Sequence, residues 1–283
     1  MTTTDWFYEE CREDGTRLGI QITAKLYEEQ TPWQKIEIYG TTHYGNLMVI
    51  DGFVMLSTRE NFVYHEMMTH PALFAHDDPR QVLIIGGGDC GSLREVLQHD
   101  SIERAFQVDI DEAVTRASEK YFPELCVSNA DPRADLRFED GIDWIKRADG
   151  SSLDIIIVDS TDPIGPGEIL FKQEFYAECH RVLRDGGILV QQSESFLLHL
   201  HSIIQPMYQA MHGAGFEQVR SVQYPVRVYP GGWWSSTLAG KKKSLSDFRE
   251  ADATSKNFET RYYHKDLHRA SFTLPVFVND ALS

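Results

Sequence analysis

The chain has 283 residues, 42% of them hydrophobic, and a formal net charge of −16. That length and apolar content suffice for one large α/β domain and a smaller one; the acidic balance argues against nucleic acid or an anionic membrane as partner and suits small cationic ligands. No apolar run approaches a membrane span, and the opening MTTTDWFY lacks the basic-then-apolar pattern of a signal peptide, so the expected location is cytoplasmic.

In chain order, residues 1–64 are β-rich. GIQITAKLYEE, QKIEIYGT and GNLMVIDGFVML are separated by Gly40, Gly45 and the Asp51-Gly52 turn, which predicts a small antiparallel β domain. From about residue 65 the texture changes: the stretch NFVYHEMMTHPALFAH reads as an amphipathic helix, followed by strand and helix units that occupy 65–283 as a second domain. Its strands are expected near 82–86, 105–109, 135–139, 153–158 and 187–192, and such alternation predicts a mainly parallel sheet. GGWWSSTLAG beside EQVRSVQYPV reads as an antiparallel pair at one sheet edge, and Lys241 to Lys243 as a solvated turn.

The first of these strands, QVLIIGGGDCG, runs into Gly86, Gly87 and Gly88. Glycines there permit a sharp turn and a close backbone approach to a flat ligand. GSLREVLQH after it has helical spacing. A pyrophosphate-binding loop would avoid the carboxylate of Asp89, and no GK[ST] follows to make a P-loop, so Asp89 points to a cationic ligand. Cys90 reads as a small residue that fits the loop. The next strand, AFQVDID, ends in Asp109, about twenty residues on, where a doubly wound sheet presents a carboxylate to ribose hydroxyls. RFEDG brings Asp140 before Gly141, and LDIIIVDSTDP brings Asp159 and Asp162. These strand tips should share one crevice, because ligands of open α/β sheets sit beyond the carboxyl ends of the strands. Each acid could instead cap a helix, and for Asp111 and Asp143 capping is the preferred reading. Pro163, Gly165, Pro166 and Gly167 form either a rigid connection or a loop over the site.

Two other constellations are set aside. Cys11, Cys90, Cys126 and Cys179 lack CxxC spacing, so neither a zinc knuckle nor a disulfide framework is expected. His65 and His70 in HEMMTH stand five apart, about 500° of helical turn, which splays the rings, and no metal site is expected.

With LMVIDG, YHEMMTH, VLIIGGGDCGSLREV, VDSTDPIGPGEILF and YPGG in view, the chain resembles the polyamine aminopropyltransferase family over roughly residues 6–240. The resemblance implies a methyltransferase-like (Rossmann-like) α/β domain behind the small N-terminal β domain, and a homodimer or homotetramer. It also implies transfer of an aminopropyl group from decarboxylated S-adenosylmethionine, a co-substrate rather than a cofactor, to putrescine, giving spermidine and 5'-methylthioadenosine. Gln34, Asp109, Asp140 and Gly141 would hold the nucleoside, with Gly86, Gly88 and Pro166 around the donor, and Asp89 would grip the ammonium of the aminopropyl arm. Tyr64, His65, Asp159, Asp162, Gln192 and Tyr229 would line the acceptor site, with Trp6 as a further wall, and Asp159 would orient the nucleophilic amine and take its proton. Met55 stands where the family often has glutamine, and VRVY replaces the usual lead into the tyrosine motif, which places the cation Arg227 near a site for cations. Two other readings remain: an amine N-methyltransferase on the same scaffold, which Asp89 argues against, and a non-catalytic polyamine-binding protein, which would be expected to lack Asp159 or the nucleoside carboxylates.

Overall fold

The computed structural model describes residues 5–11, 15–161 and 165–283, with the side chain of Pro166 also outside the described set. Five strands form the first sheet in sequential order: β1 (Trp6–Cys11), β2 (Thr16–Gln30), β3 (Lys35–Thr41), β4 (Asn46–Ile50) and β5 (Phe53–Ser57). All neighbours are antiparallel, and Asp51-Gly52 makes the tight turn between β4 and β5, with Gly52 at φ +91°, where a side chain would be strained.

The chain then enters α1 (Asn61–Ala75), so the expected domain boundary at 64/65 falls inside a helix. The expected amphipathic face is absent: every residue of α1 except Phe62 is buried. The cause is coverage from several sides, by α2 and β9 to β12 of the second domain and by the C-terminal segment (all defined below).

The second sheet comprises β6 (Gln81–Gly86), β7 (Arg104–Asp109), β8 (Ala134–Phe138), β9 (Leu153–Asp159), β10 (Leu183–Gln192), β11 (Gln218–Pro225) and β12 (Trp233–Gly240), in the spatial order β11-β12-β10-β9-β6-β7-β8. β6 to β10 are mutually parallel. β12 runs antiparallel to β10, and β11 to β12. Helices α2 (Gly91–Leu97), α3 (Glu112–Tyr121), α4 (Gly141–Arg147), α5 (Gln173–Val182) and α6 (Gln205–Gly213) supply connections, and α7 (Glu250–Ser255), α8 (Lys265–Ser271) and α9 (Val276–Leu282) follow the last strand. The reversal of strand order at β6/β9 opens the crevice at which such sheets bind ligands. β10 begins earlier than expected, at Leu183, and its pairing with β9 shifts register between Leu183 and Ile188, where Gly186 takes φ +89°.

The N-terminal sheet closes onto this crevice. Ile36, Ile38, Met48, Ile50 and Leu56 pack with Val114, Ala117, Phe122 and Leu125 in one apolar cluster, fixing the small sheet over α3. Lys241 departs from the expected solvated turn. It is 8% exposed, because its Nζ donates to the carbonyls of His180 (2.7 Å) and Leu183 (2.6 Å) at the C-terminal end of α5, which a cation stabilises.

Candidate active site

The glycine turn is built against the tip of β9. Gly86 and Gly87 have φ of +79° and +63°, and the Gly87 N–H donates to the Asp159 carbonyl at 2.7 Å. A Cβ at Gly86 would lie 2.3 Å from that carbonyl oxygen, one at Gly87 2.9 Å from the Asp159 carboxylate and one at Gly88 2.8 Å from that of Asp109. Removing three side chains thus lets two acids from different strands approach one loop. Cys90 holds the left-handed conformation at φ +67° just before α2.

The acids then divide into two groups. Asp109 is 9% exposed, and burial pushes its carboxyl up to about 6, partly offset by the Asp111 N–H it accepts at 2.8 Å and raised again by the Asp111 charge. Asp140 caps α4, taking the N–H of Ile142 at 2.7 Å, and it also receives that of Asp143, so Asp140, not Asp143, is the cap. Asp111 caps α3 as expected.

Asp89 and Asp159 form the second group. Asp89 accepts from the N–H of Gly91 at 2.6 Å and faces Nε2 of His65 at 3.2 Å. Burial alone would lower the His65 imidazolium, but the Asp89 carboxylate outweighs it and holds the ring above its usual value. Asp159 accepts from the Tyr64 hydroxyl at 2.5 Å through one oxygen and from Ser92 at 2.6 Å through the other. Burial raises its carboxyl, the Asp89 charge raises it further, and His65, Ser92 and Tyr64 oppose them. Tyr64 is held by edge contacts to Tyr224 (6.4 Å) and Tyr229 (5.8 Å). Asp159 itself raises the Tyr64 phenol, after burial, so Tyr64 acts as a donor.

A cleft of about 280 Å³ joins both groups. Its walls include Glu9, Asp51, Asp89, Asp109, Asp140 and Asp159, and none of the described lining residues is Lys, Arg or His. An acid-lined, base-free cleft favours cations and disfavours anionic ligands. At the Asp159 end it is walled by Met55, Gln192, Tyr229 and Trp234, with the Tyr229 and Trp234 rings 4.7 Å apart and the Tyr229 hydroxyl donating to the Met55 carbonyl.

Two functional candidates escaped the sequence. Glu9, on β1, is 4% exposed and lines this end. Burial pushes its carboxyl up to about 7; the Val54 N–H, bound at 2.7 Å, opposes the rise and the Glu194 charge adds to it. Glu194 lies just past β10 in the left-handed region at φ +68°. It is fully buried and accepts from the Gln192 amide at 2.9 Å, leaving its second oxygen without a hydrogen bond.

Of the residues named from the sequence, Gln34, Tyr64, Gly86, Gly88, Asp89, Asp109, Asp140, Gly141, Asp159, Gln192 and Tyr229 line the cleft. His65 does not. It is 1% exposed beneath Asp89, its ring packed on Gly91, where a Cβ would sit 2.2 Å from the imidazole. His70 turns to Glu95 (3.2 Å) and His99 (3.0 Å), so the two histidine rings of HEMMTH serve different partners. Trp6 is 48% exposed and stacks on Tyr8 away from the cleft. Arg227 is exposed, between the buried Val226 and Val228. Asp162 and Pro163 lie outside the described residues, as does the Pro166 side chain; the Gly165–Phe171 turn lends Gly167 and Leu170 to the wall.

Residues 61–250 match the family model described as "Spermine/spermidine synthase domain" and residues 5–58 that described as "Spermidine synthase tetramerisation domain". A curated protein of Methylococcus capsulatus named polyamine aminopropyltransferase is 58% identical, over 98% of this chain and 97% of the relative. One of the same name from Nitrosococcus oceani is also 58% identical, over 96% and 95%. Among solved structures, a spermidine synthase in complex with the transition-state analogue AdoDATO superposes with a TM-score of 0.95 at 34% identity, covering 99% of this chain and 95% of the other. The spermidine synthase of Thermotoga maritima superposes with 0.93 at 33% identity, covering 99% and 94%.

Proposed function

Because the chain belongs to the spermine/spermidine synthase family of aminopropyltransferases, we propose that it transfers the aminopropyl group of decarboxylated S-adenosylmethionine to putrescine, giving spermidine and 5'-methylthioadenosine. The observation that carries this reading is the cleft with six acidic and no basic side chains among its described walls.

At one end, Asp109 and Gln34 take the ribose, and Asp140 with Gly141 and Ile142 the adenine. Asp89 then meets the donor's aminopropyl ammonium. An ammonium about 4 Å from a carboxylate gains ~4 kcal/mol at an effective dielectric near 20, before desolvation is subtracted. Intact S-adenosylmethionine would bring its own carboxylate beside Asp89, so the loop selects the decarboxylated donor. At the other end, Tyr64, Gln192, Tyr229 and Asp159 surround the reacting nitrogen of the diamine. Glu9 takes the distal ammonium, and Glu194 fixes the Gln192 amide.

The nucleophile must be neutral. An amine with a lysine-like pKa near 10 is about three units from neutrality at pH 7, a cost of ~4 kcal/mol. Burial lowers that pKa, and Asp159 accepts the proton while Tyr64 and Ser92 hold its carboxylate in place. The nitrogen lone pair then attacks the carbon next to the sulfonium in line. As the C–N bond forms the C–S bond breaks, and its electrons neutralise the sulfur. The leaving thioether is neutral and calls for neither acid nor metal. Alignment of the two substrates supplies much of the rate. The N-terminal sheet, matched by a tetramerisation-domain model, assembles copies of the chain, and the buried free thiols of Cys90 and Cys179 fit a reducing cytoplasm.

The test is mass spectrometry of products from purified protein, putrescine and either donor. Spermidine and methylthioadenosine from the decarboxylated donor alone are expected. A methylated amine from the intact donor would instead make the chain an amine methyltransferase, and no product with putrescine but turnover of another amine would redirect the acceptor assignment to Met55 and Glu9.

A further inference from the structure

In the sequence Asp111 reads as a helix cap, and one of its oxygens does accept from the N–H of Ala113 at the start of α3, at 3.1 Å. The other oxygen faces the opposite domain. It accepts from the Thr31 hydroxyl at 2.7 Å and from the Gln34 amide nitrogen at 3.1 Å. The Thr31 hydroxyl oxygen in turn accepts from the N–H groups of Trp33 and Gln34, both at 3.1 Å, and the Thr31 N–H donates to the Gln34 carbonyl at 3.0 Å. The turn between β2 and β3 is therefore tied to a single buried carboxylate at the N-terminus of α3. Asp111 is 4% exposed and does not line the cleft, whereas Trp33 and Gln34 do.

The chemistry of that tie fixes more than position. A carboxylate only accepts hydrogen bonds, so the face of the Gln34 amide turned to Asp111 must be its NH2. What the amide can then offer the cleft is its carbonyl oxygen, an acceptor. Ribose hydroxyls are donors, and Asp109 beside Gln34 is likewise an acceptor. With the amide reversed, Gln34 would present N–H groups to the cleft instead. We propose that Asp111 is a positioning residue for the nucleoside donor: it locks Gln34 with its acceptor toward a ribose hydroxyl and holds the Thr31–Gln34 turn at the cleft. The inference rests on the reading of this end of the cleft as the nucleoside site.

The experiment uses Asp111→Ser, which keeps a capping oxygen for α3 but is too short to reach Thr31 and Gln34. It also uses Asp111→Asn, whose single acceptor oxygen can cap α3 only by turning its NH2 toward Thr31 and Gln34, and Thr31→Val, which leaves the α3 cap untouched. Affinity for 5'-methylthioadenosine is measured by calorimetry, with donor and acceptor KM and kcat alongside. Asp111→Ser is expected to weaken the nucleoside about tenfold, the scale of one hydrogen bond to a charged group, and to raise donor KM to match. kcat and acceptor KM should stay within about threefold, since a role confined to ground-state binding of one substrate appears in its KM. Asp111→Asn should weaken the nucleoside as well, because an amide that caps α3 turns a donor toward Gln34, and on a Gln34→Ala background Asp111→Ser should add less than about twofold, because the two residues act through one contact. Nucleoside affinity unchanged in both Asp111→Ser and Thr31→Val, additive losses on the Gln34→Ala background, or equal losses in all kinetic constants would each overturn the proposal. If Asp111→Ser fails to fold, Thr31→Val decides alone. Failure of the unsubstituted protein to bind methylthioadenosine would instead overturn the nucleoside reading itself.

Discussion

Replacing Asp159 by asparagine changes one charge and almost no shape. Both carboxylate oxygens are already committed, to Tyr64 at 2.5 Å and to Ser92 at 2.6 Å. An amide can still accept from one hydroxyl and donate to the other once that hydroxyl rotates. Burial raises the Asp159 carboxyl and the Asp89 charge raises it further, so removing the charge relieves desolvation and like-charge repulsion together, and the melting temperature should hold or rise. Catalysis should suffer. The amide cannot take the ammonium's proton, and it forfeits an attraction worth ~4 kcal/mol for a 4 Å pair at an effective dielectric of 20. Even if water substitutes as base and half of that attraction is recovered elsewhere, turnover should fall at least about a hundredfold, or ~2.7 kcal/mol of barrier. The donor nucleoside touches Asp109, Asp140 and Gln34 in this scheme, so methylthioadenosine affinity should change less than about threefold. Spermidine formation by mass spectrometry and nucleoside binding by calorimetry read the two halves of the prediction. Turnover within a few fold of the unsubstituted enzyme would refute the assignment of proton acceptance to Asp159.

Asp89→Asn should lower the ratio of kcat/KM for the decarboxylated to the intact donor by at least about tenfold, the effect of one lost charge contact; an unchanged ratio would remove selectivity from this loop. Glu9, pushed up to about 7 by burial, is neutral below that pH and anionic above it. Acceptor KM should therefore fall as pH rises from about 6 to 8, and the dependence should flatten in Glu9→Gln. The same shift works against the unliganded fold. With its folded value raised from 4.5, Glu9 withdraws stability as pH climbs toward 7, because the native state binds the proton more tightly than the unfolded chain. Gly91→Ala would set a Cβ 2.2 Å from the buried His65 ring, and overpacking of this kind costs about 1–3 kcal/mol; a melting curve identical to that of the unsubstituted protein would show that the ring yields freely.

The acids at the strand tips were legible because each ends an apolar run, and the repeating strand and helix units put those ends on one edge. Asp89, Asp109, Asp140 and Asp159 all line the cleft for that reason. Glu9 was not legible. In sequence it is one of two acids in a short strand, and its burial depends on the Val54 N–H, 45 positions away. Glu194 depends on a left-handed backbone that no glycine announced. α1 misled in the opposite sense, since its exposure is decided by strands and a C-terminal segment that local periodicity does not see. Lys241 looked like one of three solvated lysines, yet its environment is the carbonyl end of α5, more than fifty residues earlier in the chain. Half of the role of Asp111 is legible: capping is local, whereas the tether to Thr31 and Gln34 joins two domains.

The carboxylate of Glu66, buried in α1 directly after Tyr64 and His65, accepts the backbone N–H groups of Arg261, Tyr262 and Tyr263 at 2.7–2.9 Å. Tyr64 and His65, on the same turn of helix, address Asp159 and Asp89. Without those three N–H groups α1 would bury a carboxylate that has lost its donors, which is costly in a protein interior. The stretch 261–263 therefore braces, through Glu66, the helix that carries Tyr64 and His65 to the acids of the cleft.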